Sequence, residues 1–336
     1  MTTEWGLVGA LGAATFVMSL GGSRAALQFL RRRQIVDNPN ERSSHTLPTP
    51  RGLGLGVAPA ILVAWIAAAL LLPGLPAELP WVIGGAVLLG LLSWVDDLRN
   101  LPAWPRLVAQ IACVIGCSVL LREPRVFEAV GLGDIAGITA TTMLWVGLIN
   151  QVNFTDGIDG HLGGFLLVTG LGLFVVSLLG AAPLGLGALA LTFAAAAAGF
   201  LPFNWSPAKA FMGDVGSVPL GFLVGWLLLR YASAGQWSVV IVLPLFYFAD
   251  TAVTYSAMIA RRERFWRPHR NYLYQRVARV IGHGRTVGSI LACEAVLLAI
   301  VIASLRERFR WVALVGLVPV VITYAALSRR AKARTG

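Results

Sequence analysis

Phe211-Met-Gly-Asp214-Val-Gly-Ser217 runs without interruption into Val218-Pro-Leu-Gly-Phe-Leu-Val-Gly-Trp-Leu-Leu-Leu-Arg-Tyr-Ala-Ser233. From Val215 onward the run is apolar and long enough to cross a bilayer, which takes roughly 17–25 residues. Asp214 therefore sits where hydrocarbon meets water. A carboxylate at such a boundary is costly unless it is paired, capped or used. Working outward, ten more runs read as spans, near 4–30, 53–72, 80–95, 106–121, 135–152, 160–180, 182–203, 237–259, 287–304 and 309–328. The fold expected is an all-α polytopic membrane protein with about 11 transmembrane helices, in a single integral-membrane domain over residues 1–336.

Composition agrees. Of 336 residues, 57% are hydrophobic and only 13% charged, with a mean hydropathy of +0.74. A soluble domain carries about 25% charged residues, so this chain could not cover a water-facing surface. Cys113, Cys117 and Cys293 all lie inside apolar runs and read as small buried hydrophobes. The first run lacks a basic start and a small-residue cleavage site, so it is read as a mature span rather than a signal peptide.

Charge orients the spans. Arg24, the loops near 31–52, 96–106, 150–160, 203–215 and 260–286, and the tail together hold 21 of the 27 basic residues. The positive-inside rule places this set in the cytoplasm, with the N-terminus periplasmic and the C-terminus cytoplasmic. The net charge of +11 then reports cytoplasmic loops and anionic substrates, and no nucleic acid partner is expected.

The chemically notable residues fall on that same face. Asp96-Asp97 are adjacent carboxylates that repel one another unless a cation compensates. Asn153, Asp156 and Asp159 are spaced by three, so a helix would place them on one side. Gly157 and Gly160 allow a turn or the close approach of a ligand. Such all-oxygen donors suit Mg²⁺ or Mn²⁺ rather than zinc; the plainer reading is an Asx-rich turn. Asp214 reads as a helix N-cap, a catalytic group, or both. Residues 261–285 hold eight arginines around His269-Arg270-Asn-Tyr272-Leu-Tyr274-Gln-Arg276, either a lipid-facing patch or a clamp for a diphosphate. The first loop, Asp37 to Gly54, reads as a rigid Pro/Gly turn. Asp250 and Glu294 are acids inside spans, either functional or held in the bundle by hydrogen bonds. Carboxylates for a divalent cation and arginines for phosphates, on one face of an apolar bundle, point to phosphoryl or sugar-phosphate transfer to a lipid.

Those motifs resemble the polyprenyl-phosphate N-acetylhexosamine-1-phosphate transferases (glycosyltransferase family 4), the group of the WecA- and WbpL-type initiators and of MraY. The resemblance is carried by Val36-Asp-Asn-Pro-Asn40, Pro48-Thr-Pro-Arg-Gly52, Asp96-Asp97, Asn153-Phe-Thr-Asp-Gly-Ile-Asp-Gly160, Phe203-Asn-Trp-Ser-Pro-Ala208 and Phe211-Met-Gly-Asp-Val-Gly-Ser217, in order, and by the His269 loop. It implies that a UDP-N-acetylhexosamine and undecaprenyl phosphate react with Mg²⁺ to give undecaprenyl-diphosphate-sugar and UMP, at the bacterial inner membrane. It also implies roles for individual residues. Asp214 would bind the metal with Asn153, and Asp96 and Asp97 would lie beside the metal and the acceptor phosphate. Asp156 and Asp159 would line the nucleotide site near Asn204, and Phe211 would stack on uracil. His269, Arg270 and Arg276 would hold the diphosphate or the sugar.

Two departures from the family pattern matter. The triple-histidine stretch of MraY is absent, with Tyr272 where related initiators often carry a second histidine. The first-loop lysine is also missing, and His45 and Arg51 are the local candidates. Both favour an O-antigen or polysaccharide initiator over the peptidoglycan enzyme, and both leave the sugar open. A homodimer is compatible with all of this. A lipid flippase would instead predict midplane charges in pseudo-symmetric halves, which the sequence does not show.

Overall fold

The computed structural model describes residues 2–39, 47–99, 101–121, 134–264, 269–307 and 311–332. Its long helices are α1 (Thr2–Arg33), α2 (Gly54–Leu71), α3 (Leu79–Arg99), α4 (Ala103–Leu121), α5 (Asp134–Thr155), α6 (His161–Leu178), α7 (Leu184–Asn204) and α8 (Asp214–Ser233). They are followed by α9 (Trp237–Val242), α10 (Leu245–Ala260), α11 (Leu273–Ile281), α12 (His283–Glu307) and α13 (Val312–Lys332). Two short strands, β1 (Val36–Asp37) and β2 (Thr49–Pro50), pair antiparallel between α1 and α2, Val36 opposite Pro50. Among the described residues, nine helices are long and apolar enough to cross a membrane. A chain this apolar has to satisfy its backbone internally, and helices do so within one segment.

Nine of the eleven expected spans coincide with those helices. The run 106–121 falls on α4, whose apolar stretch is shorter, and 237–259 is divided, while residues 309–310 of the last run lie outside the described residues. The run 237–259 is split at Leu243-Pro244 into α9 and α10, because proline offers no N–H and clashes with the preceding turn. The third span extends to Arg99, so Asp96 and Asp97 stand on the last turns of α3 rather than in a loop. Within the segment 260–286, expected to be loop, residues 273–281 form α11. Its Leu273, Tyr274, Val277 and Ala278 are buried while Arg276 and Arg279 are exposed, an amphipathic pattern about half the length that a span requires.

α8 is the central element, packed against α2, α3, α5 and α7 and buried along nearly its whole length. Trp145 of α5 stacks on Phe222 at 4.8 Å and donates its indole N–H to the Phe222 carbonyl at 2.8 Å. Small residues set the closest approaches, as expected where lipid supplies no hydrophobic drive between helices. A Cβ on Gly56 would lie 2.2 Å from the Gly22 carbonyl carbon, and one on Gly54 would lie 2.3 Å from the Cα of Gly216. This last contact seats the start of α2 directly on the start of α8, beside Asp214.

Because the clashing atoms at Gly54 are backbone, a methyl group there cannot be absorbed by a rotamer change. Gly54→Ala is expected to destabilise the detergent-solubilised protein by about 1–3 kcal/mol, read as a lower thermal midpoint. Gly84 faces open space. Gly84→Ala should leave the midpoint unchanged or raise it through helix propensity; equal midpoints for the two variants would refute the close packing of α2 on α8.

Candidate active site

The site begins with a backbone clasp. Phe211 N donates to Pro50 O at 2.8 Å, and Phe211 O accepts from Gly52 N at 3.1 Å and Leu53 N at 3.0 Å; Gly54 N donates to Met212 O at 2.9 Å. The first loop is thereby zipped onto the segment leading into α8, and Arg51 is carried over Asp214. Gly52 and Gly213, at φ +127° and +75°, take backbone conformations that L side chains rarely adopt. A Cβ on Gly213 would also lie 2.8 Å from Asp97 Oδ2.

Asp214 is the first residue of α8, and its N-cap is Gly213, so the reading of Asp214 as a helix N-cap is corrected. The capping carboxylate comes from α3. Asp97 accepts from Asp214 N at 3.2 Å and from Val215 N at 2.8 Å, which satisfies two of the orphan donors at the helix start. Asp214 is thus free to point its own oxygens at cations. Oδ1 meets Arg51 at 2.6 Å and Oδ2 meets Arg106 at 2.6 Å. Arg51 also reaches Asp97 at 3.1 Å, and Arg106 reaches Asp96 at 2.7 Å. The second oxygen of Asp96 accepts from Leu101 N at 2.6 Å. Burial alone would lower the pKa of Arg51, but Asp214 and Asp97 raise it above the usual arginine value, so its charge is fixed.

Asp156 lies in the turn after α5. Burial, with the charges of Asp214 and Asp97, pushes its carboxyl up to about 8 against the opposing pull of Arg51. Even with Asp156 holding its proton, three carboxylates, Asp96, Asp97 and Asp214, face two guanidinium groups, and the site carries more negative charge than its cations balance. Asn153, on the last turn of α5, accepts from Ser217 Oγ at 2.7 Å, so the α5 end is tied to the α8 start.

The helical spacing expected for Asn153, Asp156 and Asp159 does not hold, because α5 ends at Thr155 and the chain turns through Gly160 at φ +77°. Asp159 faces another way. Its oxygens meet His283 Nδ1 at 3.1 Å and Ala208 N at 3.1 Å. Burial opposes the charge of Asp159, but His283 and the Ala208 N–H hold its carboxyl below the usual range. Asn204 accepts from Gly160 N at 2.9 Å and donates to Ala210 O at 3.1 Å. Asp159 and Asn204 thus join the Asp-Gly turn to the 204–211 loop and to α12. Gly157 closes against protein rather than a ligand, since a Cβ there would lie 2.5 Å from the Tyr274 hydroxyl.

The remaining sequence candidates among the described residues fall into two groups, Phe211 beside Arg51 and the others at or just before α11. Phe211 is half-buried beside Arg51. His269 packs on Tyr272 at 5.0 Å, and partial burial lowers its pKa below the ordinary imidazole value. Arg276 is exposed on α11. Burial and the charges of Arg270 and Arg276 lower the pKa of Arg279, so three cations gather there. His45 lies outside the described residues. Arg106 and His283 were not among the assigned site residues; an arginine at the mouth of a span, ten positions after Asp96, is the signal that could have found the first. Of the intramembrane acids, Asp250 accepts from Leu273 N at 2.9 Å, whereas neither oxygen of Glu294 has a hydrogen bond of ordinary length.

The cross-helix cap can be tested alone. Asp97→Ala leaves two N–H groups at the α8 start without an acceptor, at a cost of about 1–3 kcal/mol. Asp97→Asn keeps one acceptor oxygen and should recover part of that loss. Thermal midpoints in detergent separate the two variants, and identical midpoints for Asp97→Ala and the unaltered protein would remove Asp97 from this role.

The family described as Glycosyl transferase family 4 matches residues 79–232, from α3 to the end of α8. The decaprenyl-phosphate N-acetylglucosaminephosphotransferase of Mycolicibacterium smegmatis is 32% identical over 252 residues, covering 66% of this chain and 59% of that relative. The chain thus spans about three-fifths of the length of that mycobacterial protein. The Bacillus subtilis "probable undecaprenyl-phosphate N-acetylglucosaminyl 1-phosphate transferase" is 31% identical over 258 residues, covering 72% of this chain and 69% of its own. The phospho-N-acetylmuramoyl-pentapeptide-transferase of Carboxydothermus hydrogenoformans is 28% identical over 243 residues, covering 62% and 72%. The likeness runs through the helices that converge on Asp214 and extends over most of both chains in the Bacillus case, and on that ground the chain belongs to glycosyl transferase family 4.

Proposed function

We propose that the chain transfers a sugar 1-phosphate from a UDP-N-acetylhexosamine to undecaprenyl phosphate, releasing UMP. The reaction takes place at the cytoplasmic face of a bacterial inner membrane and starts an O-antigen or related envelope polysaccharide. The observation that carries this reading is the convergence of Asp96, Asp97 and Asp214 on Arg51 and Arg106 at one end of the helix bundle. A cluster of that kind, set at the end of apolar spans, suits phosphates that arrive from both water and lipid.

The donor set fits Mg²⁺. It is all oxygen and carries excess negative charge. Among the described residues no three acidic, histidine or cysteine side chains converge as a cage, and Mg²⁺ is commonly held by one or two carboxylates plus substrate phosphates and water. Asp214, with Asn153, would hold it. When bound, the ion would neutralise charge on the diphosphate oxygens.

The residues of the chain account for the rest. Arg51 and Arg106 can turn from Asp214 toward phosphate oxygens, their side chains being 33% and 28% exposed. The gathered Arg270, Arg276 and Arg279 supply a second anion-binding edge, and half-buried Phe211 offers a ring face for the base. The acceptor phosphate has a second pKa near 6, so at neutral pH it is mostly a dianion and serves as its own nucleophile. Its oxygen attacks the β-phosphorus, the bond from that phosphorus to the bridging oxygen breaks, and UMP leaves with the electron pair. Asp97 and Asp96 hold Arg51 and Arg106 in place for this step. A double displacement through an aspartyl-phosphate would give retention at an isotopically chiral phosphorus, where the single displacement gives inversion.

The test is UMP release by the purified protein in detergent with undecaprenyl phosphate, Mg²⁺ and a panel of UDP-N-acetylhexosamines, with UDP-MurNAc-pentapeptide alongside. Turnover with a UDP-N-acetylhexosamine is expected, abolished by a chelator and reduced at least about 100-fold in Asp214→Ala. Arg106→Ala should slow it by about 10²–10³. Turnover with the pentapeptide donor alone would replace this reading with the peptidoglycan one, and turnover indifferent to Asp214→Ala would remove the metal assignment.

A further inference from the structure

We propose that Asp250 is a positioning residue for the nucleotide-sugar end of the site, acting through α11; the substrate part of this inference rests on the function proposed above. Asp250 lies on α10 and is 2% exposed. Its Oδ1 accepts from Leu273 N at 2.9 Å and from Thr254 Oγ1 at 3.4 Å, and its Oδ2 accepts from Tyr274 N at 3.5 Å. These are the first two N–H groups of α11, and the residue at the N-cap position, Tyr272, makes no side-chain capping bond. The Tyr272 hydroxyl turns instead to Tyr255, at 3.2 Å. A carboxylate from a membrane helix therefore does what a local Ser, Asp or Asn usually does at a helix start. It also places negative charge at the positive end of the helix.

What α11 touches explains why this cap matters. The Tyr274 hydroxyl donates to Phe154 O at 2.5 Å, in the segment that carries Asn153 and Asp156. Gly157 closes on that hydroxyl and on Gln275 Nε2, where a Cβ would lie 2.5 and 2.9 Å away. On the other side, Tyr272 packs on His269 at 5.0 Å and stacks on Tyr274 at 5.5 Å. One carboxylate thus fixes a nine-residue helix whose first turn braces the Asp-Gly turn and whose approach carries His269 and Arg270. Asp250 itself reaches neither Asp214 nor its arginines in these contacts, so its influence is on placement.

The experiment pairs hydrogen–deuterium exchange with steady-state kinetics on the full-length protein in detergent, for Asp250→Ala, Asp250→Ser and Asp250→Asn. In Asp250→Ala, residues 269–281 and 153–160 should exchange faster while α8 does not change. The KM for the UDP-sugar should rise about tenfold or more, with a smaller change in kcat and none in the KM for undecaprenyl phosphate. Asp250→Asn keeps an acceptor oxygen and should restore most of the protection and of the donor KM. Wild-type exchange and wild-type donor KM in Asp250→Ala would overturn the proposal. Asp250→Asn behaving as Asp250→Ala would also overturn it, because charge rather than capping would then be what counts. Failure of both Asp250→Ala and Asp250→Ser to fold, read by gel filtration, would make the residue a general bundle contact and end the proposal. Exchange is measured without substrate, so it decides the role of Asp250 in α11 even if no UDP-sugar turns over, a result that would instead refute the donor assignment.

Discussion

The site depends on the carboxylate of Asp97 reaching from α3 to the first N–H groups of α8. A helix that starts at a membrane boundary exposes donors that lipid cannot satisfy. A cap from its own sequence would use the side chain that this site needs elsewhere. With Asp97 in that place, Asp214 keeps both oxygens for cations, and Gly213 turns the chain so that the clasp with residues 50–54 can form. Gly54 on Gly216 then brings α2 in, and Arg51 follows. Each of these contacts presupposes the one before it.

Charge is the second constraint. Asp96, Asp97 and Asp214 face Arg51 and Arg106, and burial with the neighbouring acids pushes the Asp156 carboxyl up to about 8, so it holds its proton at neutral pH and does not add to the excess. Proteins seldom keep unbalanced carboxylates at a membrane boundary without a use for them. The two arginines hold the cluster together, yet each is partly exposed, so they can exchange a carboxylate for a phosphate oxygen without crossing a dry interior. Arg270, Arg276 and Arg279, gathered at α11, show the opposite imbalance.

Much of this was legible in the sequence, for identifiable reasons. Hydropathy runs locate spans because length and apolarity are local properties, and Asp214 stood out because an acid opened such a run. What the sequence could not show was which partner each polar group takes. Asp214 was readable as its own helix cap, and only the approach of α3 reveals that Asp97 caps it. Asp159 shares a motif with Asp156 but faces His283 and Ala208, because α5 ends at Thr155 and residues 156–160 leave the helical path that would have kept the two together. α11 was hidden by its length: nine residues with exposed arginines resemble a loop until their apolar side is seen against α12 and α13. Pro244 was visible, but proline is tolerated inside spans, as at Pro59 and Pro219, so its break of the ninth span was not distinguishable.

Capping across helices recurs at this face, and the repetition has a physical consequence. Asp97 serves α8, Asp250 serves α11, and Asn204 serves Gly160 at the start of α6. A local cap stabilises a helix wherever it goes. A cap borrowed from another helix stabilises it only in one register and at one depth, since a slip of one residue turns the carboxylate away by about 100°. In lipid, where apolar helices gain little from choosing one apolar neighbour over another, such bonds supply the specificity that hydrophobic contact cannot. The loops of the site would otherwise be its least ordered part. Here the helices carry the precision, and the loops inherit it from three buried side chains.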